Sequence, residues 1–242
     1  MRHNINNIFI EGSSIIMQDY TNVALLINAV HIARDRYVNL EDDIHLSTTA
    51  NIPEPLRLQP EYELHLEKPD LVDRYTNEVQ ANIFKQYVTN SVSIIDGIFE
   101  DVYEVLLREY EAELNETQIT NRIRSAWSQN QLINYFLEKS ELQNSANPEL
   151  RLKESFDRYL EYRIIRHSLV HNKGVLSAKH IRQLDELYEN CDELSQERSM
   201  RNSPFYEAGQ VDLDINIILG IRKFLYSLMS YFIRALEYKN CA

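Results

Sequence analysis

The chain has 242 residues, 37 acidic side chains against 25 basic ones, a formal net charge of -12, and only five glycines, six prolines and two cysteines. A hydrophobic share of 44% with 26% charged residues excludes wholesale disorder, and the length suffices for a sizeable core. Cys191 and Cys241 cannot make a disulfide framework or a CxxC zinc site, the acidity argues against non-specific coating of nucleic acid, and no apolar leader follows the start, so a reducing, cytoplasmic location is expected.

Scarce glycine disfavours a many-stranded fold. Residues 17–38 are predicted to form a first helix, with Val23, Leu26, Ile27, Val30 and Ala33 on one side. Residues 41–69 carry Pro53, Pro55, Pro60 and Pro69 and read as an extended connector. From Asp70 to Asn115, Phe84, Tyr87, Val88, Ser91, Val92, Ile95, Ile98, Phe99, Val102 and Leu106 recur at three and four, which predicts one long central helix of roughly 65 Å, with Gly97 its weak point for a bend. Residues 116–142, with Ile119, Ile123, Trp127, Leu132, Tyr135 and Phe136, predict one or two shorter helices.

Asn147-Pro148 resembles a helix start, and the helix it opens should run to Val170 or His171, where Asn172 and Gly174 tolerate a left-handed stop. Ser177 can cap the next helix, built on Ile181, Leu184, Leu187, Tyr188, Cys191 and Leu194. Residues 199–213 hold Pro204 and Gly209 and read as a loop, and a last helix spans about Asp214 to Glu237, its apolar run too short for a bilayer. The expected fold is all-α: a bundle of about six helices with one long central helix, in a single domain over 1–242, with the motif helix and turn at 148–182.

Residues 151–182 break the acidic trend. They hold eight Lys or Arg, three acids and three histidines, a local charge of +5, while the rest of the chain sums to -17. A focused positive field can hold an anion on a protein that is negative overall. Phe156, Tyr159, Leu160, Arg163, Arg166, His167, Val170 and His171 share one helical stripe that begins apolar and ends cationic. A face that buries its first half brings its second half to the edge of the same interface, a natural place for a cleft. Isolated, such an Arg or His reads as a core helix's polar end reaching solvent; four of them followed by Asn172-Lys173-Gly174 favour an anion or catalytic site.

Histidine exchanges protons near neutral pH, and the arginine fork fits phosphate oxygens. Together they suit RNA phosphodiester chemistry: a histidine assists 2′-OH attack or protonates the leaving 5′ oxygen, and an arginine stabilises the charge that develops on phosphorus. No metal or other cofactor is expected. His167 and His171 at i, i+4 lack the HExxH glutamate, and no Walker, dinucleotide or GxSxG motif is present.

Arg166-His167-Ser168-Leu169-Val170-His171 resembles the signature of the HEPN superfamily: an Arg, a polar residue, a short spacer, then a His. The resemblance covers mainly 148–182, with the long helix a looser match. It implies a metal-independent endoribonuclease acting at a cleft shared by two protomers, in antiviral defence or toxin–antitoxin growth arrest. It also implies RNA as substrate (tRNA among the candidates), a homodimer, and an antitoxin or defence-system partner protein. Arg166 and His171 would be catalytic, with His167 in the supporting polar position, and Arg163, Asn172 and Lys173 would contact substrate. Gly174 stands where one toxin branch carries a tyrosine, so the antitoxin that modifies that tyrosine is not implied. The alternative is a non-catalytic HEPN-like helical module that binds a partner protein or a nucleotide-like anion.

Other residues read as structural. Asp96, Glu100, Asp101 and Glu104 lie along the long helix; a carboxylate there could orient His171 or pair with Arg163, but a solvated acidic face is the commoner arrangement. Tyr159 reads as core, Tyr162 as off the stripe, Trp127 as an apolar anchor and Cys191 as packed. Concentrating the cations on one segment predicts a short RNA footprint with a shallow salt dependence.

Overall fold

The computed structural model describes residues 2–41, 47–49, 52–58, 67–139, 152–189 and 208–238. The expected Asn147-Pro148 cap, along with Pro60, Cys191, Leu194 and Pro204, lies outside them. The described residues are all-helical but for short turns and one isolated β-bridge. We number the helices α1 (Arg2–Val38), α2 (three consecutive segments, Lys68–Asp73, Arg74–Glu78 and Val79–Tyr110), α3 (Glu116–Arg124), α4 (Gln131–Lys139), α5 (Leu152–His171), α6 (Ala178–Glu189) and α7 (Ile215–Tyr238).

The long helix is the spine. Every apolar position picked out between Phe84 and Leu106 is buried on α2, together with Tyr103 and Leu107. It begins at Lys68, with Pro69 in the first turn where a missing N–H costs nothing. Its irregular turn is a π-helical one at Arg74–Glu78, not at Gly97, which lies inside the regular α-helical part. Within the connector, Glu54–Leu56 forms a single 3₁₀ turn.

Helix α1 is longer than the spacing predicts, because the chain is helical from Arg2. Ile5, Phe9 and Ile16 are buried on the same side as Ile27 and Val30. Gly12 sits at the crossing with α2: a Cβ there would lie 2.3 Å from Ile98 Cδ1. The weak helix formers Gly12-Ser13-Ser14 hide the helix from a propensity reading, while the glycine lets the two backbones approach. Asp19 ties the pair again, accepting from Asn90 Nδ2 at 2.5 Å and Ser91 Oγ at 3.1 Å.

Phe99 of α2 centres the core. Its ring meets Phe9 of α1, Phe136 of α4, Phe156 and Tyr159 of α5, and Trp127, at centroid distances of 5.2 to 6.3 Å. Asn115 opens α3 with a reciprocal capping box to Gln118, and Asp214 opens α7 by accepting from the Ile217 amide at 2.7 Å. Among the described residues no helix is long and apolar enough to cross a membrane.

Candidate functional site

Helix α5 ends at His171, as the spacing predicts. Phe156, Tyr159, Tyr162, Ile165 and Ser168 are all buried. Three-residue steps on a helix turn the buried line backwards by roughly 60° each time. The buried face therefore winds around α5 and leaves a different sector open at its C-terminal end. Phe156 and Tyr159 are sealed, whereas on the same stripe His167, Val170 and His171 are exposed. Tyr162 lies off that stripe, as the spacing predicts, and is core as well, its ring 5.1 Å from that of Phe224.

The turn after α5 is built for a sharp reversal. The amides of Asn172 and Gly174 both donate to the Ser168 carbonyl at 2.9 Å. Lys173 and Gly174, rather than Asn172, take the left-handed conformation, with φ of 54° and 84°. The chain around Gly174 is then fastened to the segment before α7 by Leu176 N–H to Gly209 O and Val211 N–H to Gly174 O, each 2.8 Å. Ser177 caps α6 as expected, its Oγ accepting from the His180 amide at 3.2 Å. His180 Nδ1 in turn accepts from the Ser177 amide at a long 3.4 Å, so a histidine holds the third helical position that Glu or Gln takes in a capping box.

The reversal lays α5 and α6 side by side over an open groove of about 800 Å³. Arg163, Arg166, His167 and Asn172 line it from α5 and the turn; Lys179 and His180 line it from α6. His171 lies outside that lining and packs on His167, ring centroids 4.6 Å apart, while the His180 ring stands edge-on to His167 at 5.1 Å. Lys173 is exposed on the turn. Although His167 remains exposed, partial desolvation of its ring lowers its pKa, and the neighbouring His171, Lys179 and Arg166 lower it further. His180 is lowered for the same reasons, first by burial and then by His167 and Lys179. Both rings are thus biased toward the neutral form.

The two arginines differ. Arg163 is engaged: its Nε lies 2.8 Å from Asp96 Oδ1, and its guanidinium sits 3.8 Å above the Trp127 ring. Asp96 also accepts from the Tyr159 hydroxyl at 2.7 Å, and Trp127 donates its indole N–H to Glu100 at 2.7 Å. The acidic stretch of α2 is therefore not simply a solvated face: Asp96 and Glu100 hold the arginine and its platform, while Glu104 pairs with Arg108. Burial nonetheless raises the Asp96 pKa against the opposing pull of Arg163 and Tyr159. Arg166 uses only its Nε for structure, donating to Ser93 Oγ at 3.0 Å, and no bond within the described residues occupies its terminal nitrogens. Ser93 is itself aimed by donating to Thr89 O at 2.8 Å.

Sequence reasoning missed His180, which lies beyond the Arg–His motif; a Ser-x-x-His at a helix start was the available signal. Among the described residues no group of three or more His, Cys, Asp or Glu side chains is placed to hold a metal ion. No protein-family model matches this chain, and no curated protein and no solved structure matches it.

Proposed function

We propose that this protein is an endoribonuclease of HEPN type that cleaves RNA without a metal, at a cleft completed by a second copy of the chain. The observation that carries the reading is Arg166: anchored through Nε, its two-nitrogen end is left for a phosphate in a groove that also holds imidazoles biased toward neutrality. In the proposed reaction an imidazole, assigned to His171, takes the proton of a ribose 2′-OH. The 2′ oxygen attacks phosphorus, and the bond to the 5′ oxygen breaks as that oxygen takes the proton back from the imidazolium just formed. The products carry a 2′,3′-cyclic phosphate and a 5′-OH, and Arg166 stabilises the charge that builds on the phosphoryl oxygens.

His167 supports His171 through their ring contact, and Asn172 and Lys173 supply contacts along the strand. Arg163 contributes a positive edge already balanced by Asp96. Exposure of both motif histidines, with Val170 and Val175 each 48% exposed beside them, favours a second copy over this face. Antiviral defence or growth arrest is the proposed setting, with RNA (tRNA included) as substrate and an antitoxin or defence-system protein as partner.

The test is cleavage of a mixed RNA pool in EDTA by the wild type, Arg166→Ala and His171→Ala, with solution mass measured in parallel. Cyclic-phosphate products from the wild type alone support the reading. Equal activity in all three would sink it, and no cleavage by any would leave the anion-binding helical module as the better account.

A further inference from the structure

The groove is not uniform along its length. Its acidic members, Asp157 and Glu186, lie about 14 Å along α5 from Arg166 and about 9 Å along α6 from His180, both away from the turn. The turn end is cationic, with Arg166 on one side and Lys179 on the other. Helix α6, 12 residues long, begins at that end, so the partial positive charge of its first turn adds to the same field.

His180 gives this end a built donor. It is only 6% exposed, yet it lines the groove. Its Nδ1 faces a backbone amide, which can only donate, so Nδ1 accepts and the neutral ring carries its proton on Nε2. No bond within the described residues occupies that Nε2–H. The ring is nearly buried and held in one tautomer by its own helix cap, so its Nε2–H is a placed donor at the groove surface rather than the tip of a freely turning side chain.

We propose that the first turn of α6, through His180 Nε2–H and the Lys179 ammonium, is a second phosphate seat in the groove, beside the one at Arg166. This rests on the reading that Arg166 binds a phosphate. Two adjacent seats fit a ligand with two phosphate groups, which are either neighbouring phosphodiesters of an RNA strand or the diphosphate of a nucleotide.

The experiment titrates the full chain with inorganic phosphate and with pyrophosphate, by calorimetry and by the histidine side-chain NMR signals. The variants are Lys179→Ala, His180→Gln and Arg166→Ala. Glutamine at the third position preserves the helix cap, and Lys179→Ala leaves a good helix former on an exposed position, so both should fold. Pyrophosphate should bind the wild type at least roughly tenfold more tightly than phosphate, the value of one added charge-assisted hydrogen bond. Lys179→Ala or His180→Gln should erase that preference while phosphate affinity holds within about twofold, and the His180 signal should shift with pyrophosphate.

A preference unchanged in both variants, or no binding of either anion by the wild type, overturns the second seat. RNA cleavage that needs Arg166 but tolerates Lys179→Ala overturns the seat and leaves the nuclease reading intact. Pyrophosphate preference that depends on Lys179, with no cleavage of any RNA, keeps the seat and removes the nuclease. Competition by a short deoxyribo-oligonucleotide assigns the phosphates to a strand; competition by ADP well beyond AMP assigns them to a nucleotide.

Discussion

Asp96 of α2 and Arg163 of α5 meet at 2.8 Å, carboxylate Oδ1 to guanidinium Nε, at the root of the groove. The aspartate side chain is 13% exposed and the arginine 23%, so the pair is largely out of water. The same carboxylate oxygen takes the Tyr159 hydroxyl, and the arginine lies on Trp127. These contacts hold α5 to the spine directly beneath the groove that Arg166 lines.

Removing one partner strands the other's charge. Asp96→Ala should destabilise the fold by about 2–3 kcal/mol, because it leaves the Arg163 charge unpaired and removes a Tyr159 acceptor. Asp96→Asn keeps an acceptor for Tyr159 and should cost less. Combining Asp96→Ala with Arg163→Met should recover part of the loss. Urea unfolding of the four proteins checks the order; an Asp96→Ala protein as stable as the wild type would remove the pair from the framework.

The spine was open to reading because burial of one face writes a period of three and four into the sequence, and Phe84 through Leu106 keep it without a break. The first half of α1 was not, since Gly12 is a poor helix former whose value lies in a contact with Ile98, far along the chain. Asp96 read more readily as a solvated acid than as a partner of Arg163, although that pairing was open, because Arg163 is one of several cations on another helix and helical spacing does not say which will face it. The motif stripe was legible, and Arg163, Arg166 and His167 emerge into the groove as its order implies, while His171 lies outside the lining. His180 was hidden because its placement comes from the cap and from how α6 folds back on α5, neither of which is a property of the motif.

Arg166 and Arg163 should separate in experiment. Among the described residues Arg166 makes one hydrogen bond, to Ser93, so Arg166→Ala should lower stability by only about 1 kcal/mol. If the nuclease reading holds, the same change should lower cleavage by about 10²–10³-fold, the usual loss when one donor to a developing oxyanion is removed. Arg163→Ala should show the reverse balance, with the larger stability loss and the smaller effect on cleavage per folded molecule. Single-turnover cleavage and urea unfolding on the same preparations test the crossover.

The histidines set a pH dependence. The folded pKa values of His167 and His180 lie below the ordinary 6.5, chiefly because desolvation, partial for the exposed His167 and greater for the buried His180, disfavours the charged ring. The unfolded chain then binds more protons than the folded one as the pH falls through 6.5. Their contribution to stability is complete above about pH 6.5 and is lost as the pH drops through their lower folded values. Protonated His180 can no longer accept the Ser177 amide, so the cap of α6 should loosen in the same range. Melting temperature should therefore decline from pH 7.5 to 5, and His180→Gln, which keeps the cap without titrating, should flatten part of that decline. An unchanged slope in the variant would show that His180 does not contribute.

Gly12 should tolerate no side chain while Ile98 stays in place. On an open helix Gly→Ala gains up to about 1 kcal/mol. Here the new Cβ would lie 2.3 Å from Ile98 Cδ1 and 2.7 Å from its Cγ1, distances that force a shift. The isoleucine is only 6% exposed, so its side chain has little room to turn away. Overpacking of this kind costs about 1–3 kcal/mol, enough to outweigh the helix gain, and Gly12→Ala should be net destabilising. Ile98→Ala alone should also destabilise, by emptying part of the core. Together the two changes should be less damaging than their sum, because the smaller residue at 98 makes room for the methyl group at 12. A double-mutant cycle by urea unfolding measures the coupling: a favourable value of about 1 kcal/mol or more places the α1–α2 crossing at this pair, and strict additivity would mean the helices adjust elsewhere.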